Sequence, residues 1–259
     1  MVRQARKESP TGYYHIMMRG NNREEIFRLP EQKKYFLKLL LEQTEEQIEI
    51  AAYCMMDNHV HIVVYAPIKI LSEGLKKLNI KYAMKYNYLN DRVGHVFQDR
   101  YKSEIIHDEI YLNQVIRYVH NNPVKARMVE FIDEYQWSSY HEYTDKIRLV
   151  SKAQKEFIMD LFSKDLELFI KFHEEIDYFE YIDTKEEIQR NRITHAQEII
   201  EQYCDAKGIT EEKQIKNNPH FLQEMIFELL YKTKLSHREI ARLLEVSSNL
   251  IHKLNIEGK

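Results

Sequence analysis

The chain has 259 residues, 44% hydrophobic and 31% charged, which is typical of a globular protein with one large domain or two smaller ones. Its net charge of -3 gives no general excess of positive charge, so a nucleic-acid partner would need basic residues clustered in space. Cys54 and Cys204 lack C-x-x-C spacing, which argues against a disulfide framework or a thiolate zinc site. No stretch has the pattern of a signal peptide or membrane span, so we expect a cytoplasmic protein.

The first 125 residues alternate short apolar runs with longer amphipathic segments. Their order predicts an α+β fold of the ferredoxin-like kind, an antiparallel sheet of four or five strands with helices on one face. The other face is expected to be free to carry a site. Asp108 is the expected N-cap of the last helix, and Pro123 is expected to end it. We predict strands at residues 12–20, 48–57, 59–66 and 95–106, and helices at residues 30–46, 71–89 and 109–121.

The remainder of the chain has a different character. Residues 131–144 predict an extended tail that packs back on the preceding domain, and the following segments are rich in helix formers. We therefore divide the chain into a first domain at residues 1–145, an all-helical linking region at 146–215 and a last region at 216–259.

The last region resembles a helix-turn-helix. Ser236 and Glu239 have the spacing of a capping box, which predicts a short helix at 238–244. A turn at Glu245 leads to a second helix at 249–255, although such turns usually contain glycine. A plain helical hairpin is the alternative. If the unit binds duplex DNA, the candidate contacts on the second helix are Ser248, Asn249 and His252.

A candidate metal site begins in the third predicted strand, in the segment Asp57-Asn58-His59-Val60-His61. Side chains alternate along a strand, so His59 and His61 share one face. Two imidazoles side by side can bind one divalent metal ion. Ordinary sheet histidines are the alternative, and the pair alone does not separate the two.

The helix predicted at 109–121 offers groups that could complete this site. Tyr118 and Asn122 are four residues apart, so they share a helix face. If that face meets the histidines, two nitrogens and an amide oxygen form a ligand set for Mg2+ or Mn2+. The phenol would then be a candidate nucleophile for a phosphodiester. A core tyrosine and a helix C-cap are the alternatives, while Tyr111 is interpreted as a packing residue and His120 as lying off the site.

Five blocks of sequence, in this order and at this spacing, resemble the single-tyrosine HUH transposases, and within them the REP-associated tyrosine transposases. The resemblance covers about residues 10–145 and has no counterpart in residues 150–215. The blocks are YHIMMRGNNREEIF (14–27), DNHVHIVV (57–64), GHVFQDRYKS (94–103), YLNQVIRYVHNNPVKARMV (111–129) and WSSY (137–140).

The resemblance implies that His59, His61 and Asn122 bind Mg2+ or Mn2+ and that Tyr118 is the catalytic nucleophile. Members of this family nick single-stranded DNA, commonly beside a hairpin, and form a 5′-phosphotyrosine with a free 3′-OH. The implied partners are single-stranded or hairpin DNA, with duplex DNA added through the helix-turn-helix and no membrane. The implied assembly is a monomer or a homodimer.

Four basic residues are candidates for contacts with DNA phosphates, although solvated surface charge explains them equally well. They are Arg19, Arg23, Arg100 and Lys102. The competing hypothesis for the whole protein is a domesticated DNA-binding regulator without cleavage activity. The helix-turn-helix supports that hypothesis, whereas the complete set of site residues favours the transposase.

Overall fold

The chain forms two compact units, residues 1–182 and 183–259. Among the described residues, no helix is long and apolar enough to cross a membrane. The functional division at residues 145 and 215 remains a prediction, because compact packing does not define function, and residue 146 lies outside the described residues. The computed structural model describes residues 6–44, 47–145, 148–175, 179–210 and 213–257.

A four-stranded antiparallel sheet is the centre of the first unit. Its strand order, β2-β3-β1-β4, is that of the ferredoxin-like split βαβ pattern and confirms the predicted α+β class. β1 and β3 are the central strands, and their register places Ile16 opposite Ile62. The strands are β1 (Tyr13–Arg19), β2 (Glu49–Met55), β3 (His59–Tyr65) and β4 (Lys102–Ile105).

Two helices cover one face of this sheet. Ile16 and Ile62 from the central strands join Phe36 and Leu75 from the helices in one buried cluster. Removing such a side chain from water stabilises the fold by roughly 1.5–3 kcal/mol. The expectation that helices lie on one face holds for these two, which are α1 (Pro30–Thr44) and α2 (Ile68–Leu89).

A third long helix lies on the opposite face, which was expected to be free. Ala52 and Val63 point to that face and pack with Val115 and Val119 of the helix. These strands are apolar on both sides, and a sheet of that kind needs cover on both faces. The helices of this side are α3 (Glu109–Lys125), α4 (Tyr140–Thr144), α5 (Lys152–Asp160) and α6 (Leu166–Glu174).

Several predicted boundaries are wrong. α3 continues through Pro123 to Lys125, because a proline removes one helix hydrogen bond and the buried packing of this helix outweighs that loss. β4 is shorter than the predicted strand at 95–106, since only an isolated bridge from Phe97 precedes it. α2 begins directly after Pro67, earlier than predicted. The predicted end of α1 at Glu46 lies outside the described residues.

The segment at 131–144 packs back on β2 as predicted, but it is not extended throughout. It contains a 3-10 helix (Ile132–Glu134) and α4. The backbone N–H of Met55 donates to Trp137 O at 3.0 Å, and Ser139 N donates to Tyr53 O at 2.9 Å. These bonds occupy the outer edge of β2, which would otherwise be an exposed strand edge.

Lys33 of α1 holds the turn that precedes β3. Its Nζ donates to Asp57 Oδ1 at 2.7 Å and to the Tyr135 hydroxyl at 3.3 Å. Lys33 is 4% exposed, so its charge is almost withdrawn from water and needs these partners. The pair therefore fixes the entry into the strand that carries the two histidines.

The second unit is entirely helical in its described residues. The capping box is confirmed, because Ser236 Oγ accepts from Glu239 N and Glu239 Oε2 accepts from Ser236 N at 2.7 Å. Glu245 has φ 53°, so this residue takes the left-handed conformation that the missing glycine would have taken. The helices are α7 (Lys185–Lys207), α8 (Lys213–Asn217), α9 (Pro219–Lys232), α10 (His237–Leu243) and α11 (Ser248–Glu257).

A buried histidine pair ties α3 to α6. His120 Nδ1 lies 2.9 Å from His173 Nε2, and His120 Nε2 lies 2.8 Å from Ser139 Oγ. His173 Nδ1 lies 2.8 Å from Phe169 O. Because a carbonyl only accepts, His173 Nδ1 donates, its Nε2 accepts from His120, and His120 Nε2 accepts from Ser139. Both rings are therefore neutral in this arrangement.

Acid should weaken the first unit through this pair. Burial lowers the pKa of His173 to about 4 and, with the adjacent His173, holds the pKa of His120 well below its usual 6.5. Below about pH 6.5 these histidines bind protons in the unfolded chain but not in the folded one. The free energy of unfolding therefore decreases as pH falls below about 6.5. For His173 alone we expect a loss of about 2 kcal/mol between pH 7 and pH 5. Urea denaturation at both pH values measures it.

The matched variants are His173→Gln, which keeps an acceptor for His120, and His107→Gln at an exposed position of the same unit. We expect the first to reduce the pH dependence and the second to leave it unchanged. Equal stability of the native chain at pH 7 and pH 5 would contradict this account.

Candidate active site

His59 and His61 lie on one face of β3 and are both fully buried. Their ring centres are 4.9 Å apart, and their ring nitrogens come within 4.8 Å of one another. This separation allows both imidazoles to bind the same ion, since a metal–nitrogen bond is about 2 Å long. The strand alternation predicted from H-x-H thus produces the arrangement that a shared metal requires.

Each of the two rings is oriented by a hydrogen bond at its Nδ1. His59 Nδ1 lies 2.6 Å from the side-chain oxygen of Asn58. His61 Nδ1 lies 2.9 Å from Nε2 of His15, a fully buried residue of β1. Metal-binding histidines commonly use one nitrogen in this way, so Nε2 is the atom of each ring that would coordinate an ion.

Glu104 of β4 continues the chain of polar groups beyond His15. Its Oε2 lies 3.8 Å from His15 Nδ1, at ion-pair distance. Burial raises the pKa of the Glu104 carboxyl, but the interactions with His15 and Tyr111 outweigh burial and the net pKa is lowered. A negative carboxylate therefore stands behind the histidines at the edge of the sheet.

Tyr118 of α3 faces this histidine cluster and is 2% exposed. Its ring centre lies 5.6 Å from that of His61 and 5.9 Å from that of His15, both in edge-on geometry. Lys125 Nζ lies 5.0 Å from the centre of the Tyr118 ring. The packing of α3 therefore brings the predicted nucleophile next to a lysine cation and to His61, one of the predicted metal ligands.

Asn122 lies one helical turn after Tyr118, as the sequence predicts, and is 4% exposed. Its Nδ2 donates to the carbonyl oxygen of Tyr118 at 3.0 Å. The side-chain oxygen is therefore the atom that could serve a cation. His120 points elsewhere, into its contact with His173, in agreement with its interpretation as an off-site residue.

Tyr181 covers Tyr118, the predicted nucleophile. Its ring stacks on the Tyr118 ring with centres 4.3 Å apart, and the ring of Tyr111 also stacks on Tyr181, with centres 6.0 Å apart. Tyr111 thus packs, as predicted, against Tyr181 and against the buried cluster between α3 and the sheet. With the histidines fully buried and Tyr118 almost so, the site is closed to a DNA strand in this conformation.

Two of the four predicted phosphate contacts lie on the face of the histidine pair. Arg19 is the cross-strand partner of His59, and Met17 is the partner of both His61 and Lys102. Cross-strand partners point to the same side of a sheet. Arg19 and Lys102 therefore border the site along β1 and β4.

The other predicted DNA contacts are exposed. Arg23 is the last residue of a 3-10 helix (Asn21–Arg23), and Arg100 lies in the loop before β4. Neither position by itself brings the side chain to the site. In the second unit, three exposed residues lie on the first turns of α11, which suits a surface that meets DNA. They are Ser248, Asn249 and His252.

An open groove of about 790 Å3 runs beside the site along β4 and the start of α3. Arg6, Lys7 and His107 contribute positive or protonatable groups to its lining, and Glu104 and Tyr111 border the histidine cluster. A groove of this volume can hold a nucleotide or a short stretch of single strand.

Four residues of the site were not foreseen. Lys125 lies two helical turns after Tyr118 and would have been found if the helix had been extended past Pro123. His15 and Glu104 become neighbours of His61 only through the strand register, which local sequence does not contain. Tyr181 carries no local signal at all.

Comparison with known proteins finds a family match within the first unit. Residues 9–122 match the family described as "Transposase IS200 like". The chain is also similar to a solved structure described as "Structure of the REP associates tyrosine transposase bound to a REP hairpin", with 17% identity over 56% of this chain and 86% of that chain, and a TM-score of 0.45. No curated protein matches the sequence. Residues 9–122 of this chain are therefore similar to members of the IS200-like transposase family.

Proposed function

We propose that this protein nicks and rejoins single-stranded DNA, with Tyr118 as nucleophile and His59, His61 and Asn122 as metal ligands. The observation that carries the proposal is the contact of Tyr118 with His61, whose ring centres lie 5.6 Å apart on a buried face. This contact places a phenol beside a pair of imidazoles that share one face of β3. The transposase family of residues 9–122 supports an activity on DNA.

In the proposed cleavage, Tyr118 Oη attacks the phosphorus of a phosphodiester. The new oxygen–phosphorus bond forms as the bond from phosphorus to the 3′ oxygen breaks, so the 5′ phosphate stays on the tyrosine. The phenol proton leaves to solvent, and the departing oxygen takes up a proton to become a 3′-OH. Rejoining reverses the exchange with the 3′-OH of another strand, and no high-energy cofactor is needed because one phosphate ester replaces another.

The donor set fits a divalent cation. Mg2+ or Mn2+, when bound, supplies a Lewis acid that offsets charge on the phosphate and on the leaving oxygen. The Nδ1 bonds of His59 and His61 orient both rings with Nε2 as the coordinating atom. Asn122 adds an amide oxygen from the helix that carries the proposed nucleophile, and an oxygen donor of this kind suits Mg2+ or Mn2+.

Replacing the nucleophile tests the proposal. With labelled single-stranded hairpin DNA and Mn2+, we expect a covalent protein–DNA adduct that Tyr118→Phe abolishes, because phenylalanine has no oxygen to bond phosphorus. A denaturing gel measures the adduct. Tyr88→Phe, at an exposed tyrosine of α2, is the matched control and should keep the adduct.

An adduct that persists in Tyr118→Phe would overturn the assignment of the nucleophile. Absence of any adduct with hairpins taken from the flanks of the gene, under conditions where the site is open, would contradict the nicking function.

Opening of the site depends on Tyr181. A phosphate can reach Tyr118 only if the ring that stacks on it at 4.3 Å is displaced. Tyr181→Ala removes that ring, and we expect the initial rate of adduct formation to rise severalfold. Tyr88→Ala, at a residue that is 81% exposed, is the control. An unchanged or lower rate in Tyr181→Ala, with the fold intact by circular dichroism, would show that this ring does not limit access.

The second candidate function is a DNA-binding regulator that does not cut. The exposed start of α11 favours it, because a helix presented in this way can enter the major groove of duplex DNA. The two functions are compatible in one chain: duplex binding can direct the nicking unit to its site or regulate expression of the gene.

Duplex binding is tested on the second unit. We expect the double substitution Asn249→Ala and His252→Ala to weaken binding to duplex DNA from the gene's own flanks by about tenfold to a hundredfold, the range for loss of base contacts. Fluorescence anisotropy measures the affinity. Gln214→Ala, at an exposed position of α8, is the control. Equal affinity of the double variant and the native chain would remove α11 as the reading helix.

A further inference from the structure

The hydrogen bond that orients His61 comes from another histidine rather than from a backbone or amide oxygen. His15 Nε2 lies 2.9 Å from His61 Nδ1, and the two ring centres are 5.1 Å apart. His15 is fully buried on β1 and belongs to neither the metal ligand set nor the nucleophile. A buried imidazole at this position needs partners for both of its nitrogens.

The second nitrogen of His15 faces a carboxylate. Its Nδ1 lies 3.8 Å from Glu104 Oε2, and the side chain of Glu104 is 30% exposed at the edge strand. Three groups on three adjacent strands thus form a line across the sheet: Glu104 on β4, His15 on β1 and His61 on β3. The antiparallel register holds them there, because His15 is the cross-strand partner of Glu104.

The carboxylate determines which ring nitrogens along this line carry protons. Glu104 Oε2 lies at ion-pair rather than hydrogen-bond distance from His15 Nδ1, and its negative charge favours the tautomer of His15 that has the proton on that nitrogen. The neutral ring of His15 then offers Nε2 as an acceptor, and His61 donates its Nδ1 proton to it. With its proton on Nδ1, His61 carries its lone pair on Nε2, the form in which that atom binds a metal ion.

We propose that His15 and Glu104 are positioning residues for the metal ligand His61, fixing its tautomer and ring orientation through the line Glu104–His15–His61. The inference rests on the metal site of the proposed function. His59 does not depend on this line, because its Nδ1 bonds to the neighbouring Asn58. Loss of His15 therefore disturbs one of the two imidazoles and leaves the other oriented.

The test measures binding of Mn2+ alone to the full chain by electron paramagnetic resonance, so it does not depend on cleavage. We expect His15→Leu to weaken Mn2+ binding about tenfold to a hundredfold, the usual effect of losing a partner of a metal ligand. His15→Gln should restore affinity to within a few-fold, because its side-chain oxygen can accept from His61 Nδ1. Met18→Leu, at a buried position of β1 on the opposite face of the sheet, is the control and should bind as the native chain does.

The outcomes separate this inference from the metal site itself. Native affinity in His15→Leu, or equal weakness in His15→Leu and His15→Gln, overturns the positioning role while His61→Ala still abolishes binding. Equal Mn2+ binding by the native chain and His61→Ala overturns the metal site and this inference with it.

Glu104 provides a second variant if His15→Leu does not fold. Glu104→Leu changes a half-buried edge position, and we expect it to weaken Mn2+ binding, with Glu104→Gln restoring part of the affinity through its amide oxygen. Imidazole nitrogen NMR of the metal-free chain should show His61 with its proton on Nδ1, and a mixture of tautomers in Glu104→Leu. An unchanged tautomer and an unchanged affinity in Glu104→Leu would exclude the role of the carboxylate.

Discussion

The packing of α3 across the second face of the sheet is the contact on which the candidate site depends. β3 alone presents His59 and His61 to one side, and nothing in that strand supplies a nucleophile. The apolar positions of α3, such as Val115 and Val119, bury against the same sheet face and fix the rotation of the helix. That rotation turns Tyr118 toward the histidines and His120 away from them, so hydrophobic burial determines which side chains meet.

Burying three imidazoles on one sheet face would be costly if their nitrogens lacked partners. Two hydrogen bonds offset this cost. His59 Nδ1 bonds to the side chain of Asn58, its neighbour in sequence. His61 Nδ1 bonds to His15, which only the pairing of β1 with β3 brings near. The polar face is thus tied to the register of the sheet, and a slip of one residue would separate the two rings.

The sequence correctly predicted the features that depend only on residues close together in the chain. Strand alternation placed His59 and His61 on one face, the spacing of four placed Asn122 one turn after Tyr118, and the capping box at Ser236 formed as predicted. It failed where packing overrides local preference. Pro123 predicted a helix end, yet α3 continues to Lys125 and thereby carries a cation over the ring of Tyr118.

The residue that covers Tyr118 comes from a different part of the chain than the residues that orient it. Tyr118 and the histidines are held by a strand and a long helix whose side chains are almost fully buried. Tyr181, which is 4% exposed, covers Tyr118 by ring stacking, an interaction of roughly 0.5–1.5 kcal/mol beyond the area it buries. Because Tyr181 lies after α6 and outside the sheet, a substitution in this cover need not disturb the strands that carry the histidines. Access and chemistry are therefore separable properties of this fold, and a chain could lose cleavage through its cover while every site residue remains in place.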